Sequence, residues 1–233
     1  MDSLLLDVAG HRRSRRTMPC YHRGRPPRNK GEQYPADPPT VEEIVAVMRT
    51  VGDHPHGERL RALIVLLWRA GLRISEALAL QVGDVDLASK KLSVVRSWTS
   101  DESGKKHLGA TKTRETRVIP ISPDVEKILQ PLLLAKALED FIFTGSGGTA
   151  LDYGHFRRTY FAPAIERLGL GDGTIHWLRH TCASMMIRVG APITTISYIL
   201  GHSSIKMTLD TYAHYYEDDS AEWMDRLSGH LMH

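Results

Sequence analysis

The spacing of apolar residues changes from helical to strand-like and back along this chain, and this change limits the folds available to it. Apolar residues recur at helical spacing in Val41–Val51 and Leu60–Trp68, which predicts two amphipathic helices. Lys91–Arg96 and Thr116–Ile121 are short and β-branched with partial alternation, which predicts strands. Helical spacing then returns in Phe156–Leu168, His176–Val189, Thr194–Leu200 and Ser220–Leu231. The pattern predicts a mainly helical α+β fold with a small antiparallel sheet, whose two strands are joined by a long charged loop at 99–115.

Ordered structure is expected to begin at Thr40, because Thr40 and Glu43 fit the capping box that opens many helices. Residues 1–38 contain few apolar side chains and several glycines and prolines, which predicts a flexible arm. We therefore predict three parts: a basic arm over 1–38, a folded domain over 39–216 and a C-terminal tail helix over 217–233.

The formal net charge of +3 is unevenly distributed. Residues 1–30 carry a net +6, so the remainder carries −3. A basic arm on a nearly neutral body suits a nucleic-acid binder, because contacts with phosphates release counterions. A solvated, disordered tail is the alternative. The eight basic side chains that the first interpretation assigns to DNA are Arg12, Arg13, Arg15, Arg16, Arg23, Arg25, Arg28 and Lys30.

Several protein classes do not fit the sequence. No run approaches the roughly 18 apolar residues of a membrane helix, and Leu4–Leu6 is too short for a signal peptide, so we expect a cytoplasmic protein. Cys20 and Cys182 are too few for a disulfide framework. His176 and His180 have the spacing of a zinc protease motif, but Trp177 occupies the position of its essential glutamate. We therefore expect no metal.

Five short segments carry the functional signal by their order. They are Gly71–Glu76, Thr111–Arg117, His176–Thr181, Leu200–Ser204 and Thr208–Tyr212. This order resembles the tyrosine recombinases of the phage integrase family, whose pattern is Arg, Lys, His-x-x-Arg, His or Trp, and then Tyr. Each fragment alone is weak evidence, but all five occur in order and at family-like separations between about residues 40 and 214.

The resemblance implies the catalytic fold of the family and a site-specific recombinase that acts on double-stranded DNA. Such an enzyme cuts DNA through a 3′-phosphotyrosine and rejoins it without a metal, a nucleotide or another cofactor. Glu76 and His180 match supporting positions: Glu76 would orient the first arginine, and His180 would be a structural hydrogen-bonding residue. The catalytic residues implied are Arg73, Lys112, His176, Arg179, His202 and Tyr212.

The chemistry of these side chains fits that activity. Phosphate transfer builds up negative charge, and the planar guanidinium of Arg73 or Arg179 binds two phosphate oxygens while staying charged. His176 and Arg179 are three residues apart and so share one side of a helix. The alternative is that each arginine makes a surface salt bridge, for example Arg73 with Glu76.

Tyr212 is the expected nucleophile, and a phenol with a pKa of about 10 needs help to lose its proton. Tyr212 is distinguished from three nearby tyrosines by its Thr-x-x-x-Tyr-Ala-His setting, and Tyr198 is expected to pack within an apolar helix. His176 is the expected proton acceptor, and His202 the expected hydrogen-bond donor to the phosphate.

Lys112 is placed to protonate the departing 5′ oxygen. Lys105, Lys106 and Arg114 lie in the same loop, so a plain solvated basic loop is the alternative. Arg114 is a further candidate DNA contact.

Three further interpretations stay open. Most integrases carry a helical DNA-clamping domain before the catalytic one, and here only the basic arm precedes Thr40, so an integrase-derived DNA-binding factor or a truncated inactive remnant is the first. A type IB topoisomerase, which shares the chemistry, is the second. The third concerns the tail helix, with Trp223, Met224 and Leu227 on one face: it would either dock on a neighbouring protomer of a homo-tetramer or pack on its own core.

Overall fold

The computed structural model describes residues 39–52, 56–102, 104–111, 116–145, 147–171, 173–215, 224–225 and 227–228. The predicted arm 1–38, with all its basic residues, lies outside the described residues, and so do Lys112 and Arg114. In the predicted tail, 224–225 and 227–228 are helical, and Met224 and Leu227 are exposed.

The N-terminal helices form as the apolar spacing predicts. They are α1 (Val41–Gly52), α2 (Gly57–Arg69) and the short α3 (Ile74–Ala77). The predicted capping box is confirmed, because the Thr40 backbone N–H donates to Glu43 Oε2 over 2.7 Å and the Glu43 N–H donates to Thr40 Oγ1 over 3.2 Å. Helix α2 is buried over most of its length and packs against α1 and two later helices, Pro123–Leu133 and His176–Arg188, which makes it the centre of the core.

The sheet region contains more strands than predicted. Strands β1 (Val85–Asp86), β2 (Lys91–Val94) and β5 (Arg117–Pro120) form an antiparallel sheet in the order β1-β2-β5, with Val94 opposite Arg117. The stretch between β2 and β5, where a loop was expected over 99–115, instead contains a second hairpin, β3 (Arg96–Ser100) paired with β4 (Lys106–Ala110). The prediction of a loop was wrong because β4 is exposed at nearly every residue, so no apolar alternation marks it in the sequence.

The second half of the chain is helical, as predicted. Its helices are α4 (Pro123–Leu133), α5 (Tyr153–Phe156), a π-helical turn (Arg157–Phe161), α6 (Ala162–Arg167), α7 (His176–Arg188), α8 (Ile193–Leu200) and α9 (Ile205–Tyr212). Tyr212 belongs to a small apolar cluster between α7, α8 and α9, separate from the main core. None of the helices in the described part of the chain has the length and apolar character needed to span a membrane.

Candidate active site

Gly71 brings the segment that carries Arg73 against the later helices. Gly71 has φ +60°, and a Cβ there would lie 2.8 Å from Leu200 Cδ2 and 3.1 Å from the Cys182 sulfur. Only glycine combines this conformation with this close approach. Arg73 follows at the N-cap of α3, so the turn lies directly beside α7 and the end of α8.

Arg179 is buried and joins the same two segments. Its Nη1 donates to the Gly71 carbonyl over 2.6 Å, and its Nη2 donates to the Leu200 carbonyl over 2.5 Å. Burial, together with the charge of Arg73, lowers the pKa of Arg179 to about 10. At neutral pH the guanidinium therefore remains protonated and supplies a fixed positive charge inside the site.

Arg73 bonds both its own helix and the loop after α8. Its Nη1 donates to Glu76 Oε1 over 2.9 Å, its backbone N–H donates to Glu76 Oε2 over 2.9 Å, and its Nη2 donates to the Gly201 carbonyl over 2.8 Å. The ion pair with Glu76 is the alternative considered from the sequence, but it is not a surface pair, because Glu76 is 1% exposed. The pair supports the predicted role of Glu76 in orienting Arg73.

Sequence reasoning missed Arg117, which binds the other side of the Glu76 carboxylate. Its Nη1 and Nη2 donate to Glu76 Oε1 and Oε2 over 3.0 Å and 2.6 Å. Arg117 is buried, as is Ile119, while Val118 and Pro120 between and after them are exposed. The inward-facing arginine was the available signal, but the apolar Val118 beside Ile119 hid the alternation.

Glu76 stays ionised in spite of its burial. Burial alone would raise the pKa of this carboxyl, but the hydrogen bonds and charges of Arg117 and Arg73 lower it below its ordinary value. A buried carboxylate with two cationic partners is therefore part of the resting site.

His202 lies in the loop between α8 and α9, close to both arginines. Its Nδ1 is 2.8 Å from the hydroxyl oxygen of the buried Thr208, which fixes the orientation of the ring. Burial lowers the pKa of His202 to about 4, and the charges of Arg179 and Arg73 act in the same direction. The imidazole is therefore neutral at neutral pH and keeps one N–H donor.

Tyr212 is 2% exposed, and its hydroxyl lies 2.7 Å from Nδ1 of His180. Burial raises the pKa of the phenol well above its ordinary value, although the charge of Arg179 opposes this. The hydrogen-bonding role expected for His180 has Tyr212 as its partner. Burial, with the charge of His176, lowers the pKa of His180 to about 4, so its ring is neutral and its free nitrogen can accept from the phenol.

His176 is not the imidazole that contacts the nucleophile. It is the first residue of α7 and is exposed, with its ring centroid 5.8 Å from that of His180, one helical turn further along. In the resting site, the second histidine of the motif, rather than the first, lies within hydrogen-bond distance of the phenol. Desolvation and the charges of Arg179 and Arg73 lower the pKa of His176.

The packing role expected for Tyr198 was wrong. Its side chain is 52% exposed, because α8 turns Ile196, Ser197 and Leu200 inward instead. The Tyr198 hydroxyl accepts a hydrogen bond of 3.1 Å from the Val118 backbone N–H. This bond ties α8 to β5.

The structure thus brings together Arg73, Arg179, His202, His180 and Tyr212, with His176 at the rim. A cavity of about 250 Å³ opens beside His202 and Arg117 and is lined by hydroxyl groups such as those of Tyr198 and Ser204. In the described part of the chain, no group of three or more His, Cys, Asp or Glu side chains is arranged to hold a metal ion. The arrangement offers fixed cations and N–H donors for a phosphate, next to a phenol.

Curated tyrosine recombinases are similar to this chain in sequence. The tyrosine recombinase XerC of Herpetosiphon aurantiacus is 30% identical over 192 residues, which are 78% of this chain and 56% of that protein. The XerC-like tyrosine recombinase of Caldanaerobacter subterraneus subsp. tengcongensis is 29% identical over 181 residues, which are 68% of this chain and 46% of that protein. The chain therefore spans about half the length of the curated relatives it matches.

Solved structures share the fold. The integrase of transposon Tn1549, in complex with a circular intermediate DNA, matches with a TM-score of 0.70 and 23% identity over 84% of this chain and 67% of that one. The catalytic domain of bacteriophage HP1 integrase matches with a TM-score of 0.54 and 23% identity over 79% of this chain and 90% of that one. The predicted mainly helical catalytic fold with small antiparallel sheets is therefore confirmed. The model of the phage integrase family matches residues 37–218, and the chain belongs to that family.

Proposed function

We propose that this protein is a site-specific recombinase that cuts and rejoins double-stranded DNA through a covalent bond between Tyr212 and a 3′ phosphate. The observation that carries the proposal is the convergence of Arg73 and Arg179 on the segment Leu200–His202. Tyr212 lies near enough that the charge of Arg179 acts to lower the pKa of its phenol. The relatives named as tyrosine recombinases support the reaction class, and the DNA-bound Tn1549 integrase supports DNA as the substrate.

The two arginines would stabilise the transition state of phosphate transfer. Each guanidinium has five N–H donors, and the bonds to backbone carbonyls and Glu76 leave others for phosphate oxygens. Their positions are fixed by those same bonds, so little reorganisation accompanies the reaction. His202 would add its remaining N–H as a donor to the phosphate.

Proton transfer begins at the phenol. Tyr212 attacks phosphorus, the 5′ oxygen of the DNA leaves, and the phenol proton passes to a neutral imidazole. His180 is the imidazole in contact with the hydroxyl, and His176 is the next basic group outward. We assign the first acceptance to His180, keep His176 as the group that passes the proton to solvent, and keep Lys112 as the proton donor to the 5′ oxygen.

Rejoining needs no nucleotide and no metal in this scheme. The phosphotyrosine ester retains the energy of the broken DNA ester, so attack by a 5′ hydroxyl reverses the reaction. The positive charge that a metal would supply comes from Arg73 and Arg179.

The three parts of the chain would divide the work. Residues 39–216 would perform the chemistry, and the basic arm 1–38 would hold DNA through its phosphates, in the cytoplasm. The tail 217–233 would dock on a neighbouring protomer of a tetramer, which the exposure of Met224 and Leu227 supports.

Deleting residues 1–38 should weaken DNA binding and flatten the dependence of DNA affinity on salt concentration. An unchanged salt dependence would show that the arm makes no contact with DNA.

A suicide-substrate assay tests the proposed reaction. The full chain is incubated with nicked duplexes that tile the DNA flanking its own gene, and covalent adducts are resolved on denaturing gels. Wild type and Tyr215→Phe should form the adduct, and Tyr212→Phe should form none. Binding to a duplex without any adduct would instead identify an integrase-derived DNA-binding factor. Relaxation of supercoiled plasmid by a monomer would identify a topoisomerase.

A further inference from the structure

Arg117 has no role in the proposed mechanism, yet its side chain makes several hydrogen bonds beside the site. It is 4% exposed, lies on the inward face of β5, and donates both terminal nitrogens to the Glu76 carboxylate. Its Nε also donates to the Ile199 carbonyl over 3.0 Å. One guanidinium therefore joins a strand, the short helix α3 and the end of α8.

We propose that Arg117 is a positioning residue that sets the geometry of Arg73 and of the loop carrying His202. This inference rests on the proposed function, because it concerns the rate of the same DNA cleavage. Arg117 acts through Glu76 on one side and through the backbone of α8 on the other, and it has no contact with DNA in the proposed mechanism.

The link to Arg73 passes through one shared carboxylate. Glu76 Oε1 accepts from both Arg73 Nη1 and Arg117 Nη1, and Oε2 accepts from the Arg73 backbone and from Arg117 Nη2. Because Arg117 takes up part of the negative charge of Glu76, Arg73 is only partly neutralised. Without Arg117, the carboxylate would turn wholly to Arg73 and compete with the DNA phosphate for its guanidinium.

The link to the His202 loop is steric as well as polar. Gly201 has φ +61°, and a Cβ on it would lie 2.6 Å from Arg117 Nη1. The Arg117 guanidinium thus packs directly against Gly201, the residue before His202. The Gly201 carbonyl also accepts a hydrogen bond from Arg73. A shorter or uncharged side chain at 117 would leave this loop free to shift relative to Arg73.

A second ion pair of the same design offers a matched control. Arg96 on β3 donates to Asp84 over 2.7 Å, and Asp84 caps a short helical turn by accepting from the Gln81 backbone N–H over 2.8 Å. Among the described residues, no hydrogen bond joins Arg96 or Asp84 to any of the predicted catalytic residues. Losing this pair is expected to perturb the fold while it removes none of the hydrogen bonds of Arg73 or His202.

The experiment compares two double-mutant cycles in the full chain. One contains Arg117→Met, Glu76→Gln and both together, and the control contains Arg96→Met, Asp84→Asn and both together, with Arg117→Lys as a charge-retaining variant. Single-turnover cleavage of the nicked duplex that wild type cuts gives a rate constant at saturating DNA and an amplitude. The DNA Kd is measured separately. Misfolding lowers the amplitude, whereas mispositioning lowers the rate constant of the molecules that react.

Arg117→Met should lower the rate constant by about 10²-fold, the scale expected for a displacement of about 1 Å, with the Kd little changed. Arg117→Lys should fold as wild type yet cut about tenfold more slowly, because lysine cannot form the bidentate pair. The Arg117 and Glu76 effects on rate should be strongly non-additive, and the control cycle should show coupling in stability alone.

Three results would overturn the inference. Rate constants for Arg117→Met and Arg117→Lys equal to those of Arg96→Met would make Arg117 a purely structural residue. Loss of amplitude alone in both Arg117 variants would lead to the same conclusion. Absence of adduct with wild type would overturn the proposed function and this inference with it, and is distinguishable because it appears before any variant is made.

Discussion

Two buried carboxylates in this molecule are held by the same local device and differ in one neighbour. Glu76 and Asp84 each lie three residues after the N-cap of a short helical turn and accept a hydrogen bond from the backbone N–H of that N-cap residue. Each also pairs with an arginine from a nearby strand. Glu76 has a second guanidinium, that of Arg73, within 2.9 Å. Among the residues that the structure describes, Asp84 pairs with one cation, Arg96.

The extra guanidinium reverses the effect of burial. At Asp84, burial outweighs the Gln81 N–H and Arg96, and the pKa of the carboxyl is raised above its ordinary value. At Glu76, burial is the largest single influence but Arg117 and Arg73 together exceed it, and the pKa is lowered. The Asp84–Arg96 pair is a structural ion pair within the fold. Glu76, Arg117 and Arg73 form a charge cluster that leaves a cation facing the site.

Removing a cation from the active site should affect DNA cleavage far more than removing Arg96. Arg73→Ala and Arg179→Ala should each lower DNA cleavage about 10²–10³-fold, because each removes a fixed donor from the developing phosphate charge. Arg96→Ala should leave the cleavage rate constant little changed, since the side-chain hydrogen bond of Arg96 within the described residues is to Asp84. Single-turnover adduct formation measures all three, and a loss under tenfold for both Arg73→Ala and Arg179→Ala would refute the electrostatic assignment.

Neutralising Glu76 should lower the free energy of unfolding more than neutralising Asp84. Glu76→Gln leaves the buried Arg117, whose side chain is 4% exposed, without its anion, so it should cost about 3–5 kcal/mol of unfolding free energy. Asp84→Asn leaves Arg96, whose side chain is 25% exposed and can recover water, so it should cost about 1–3 kcal/mol. Urea unfolding followed by circular dichroism measures both. Equal losses would show that solvent access does not distinguish the pairs.

These carboxylates also show what the sequence could and could not predict. The order and spacing of Arg73, Arg179, His202 and Tyr212 are a local signal, so the sequence predicts them as one set, and the fold places them in one region. The partner of Glu76 was not found, because Arg117 is 41 positions away and reaches it only through the register of β5 with β2. Pairing between distant segments is decided by tertiary packing, which local spacing does not encode.

Tertiary packing also decides which histidine contacts Tyr212, so local spacing could not predict it. Sequence spacing places His176 and Arg179 on one side of α7, and it places His180 one turn further. Which imidazole meets Tyr212 depends on how α9 packs against α7, and that packing buries the phenol beside His180. The hairpin β3–β4 was missed for a different reason, since an exposed polar ribbon has no buried face to impose alternation.

The contributions of Glu76 and Asp84 to stability should depend on pH with opposite signs. The pKa of Glu76 is lowered from an ordinary 4.5, so its contribution to stability is present above that pH and is lost as the pH falls through the folded pKa. The pKa of Asp84 is raised from an ordinary 3.8, so its contribution is present below that pH and is lost as the pH rises through the folded pKa.

The two variants should therefore differ from wild type in opposite directions across roughly pH 3–6. As the pH rises, the stability advantage of wild type over Glu76→Gln should grow, whereas its advantage over Asp84→Asn should shrink. Urea titrations at several pH values, with unchanged m-values, measure both differences. If both stability differences changed with pH in the same direction, Arg73 would add no second cation at Glu76 in solution. The distinction between a structural ion pair at Asp84 and a charge cluster at Glu76 would then be wrong.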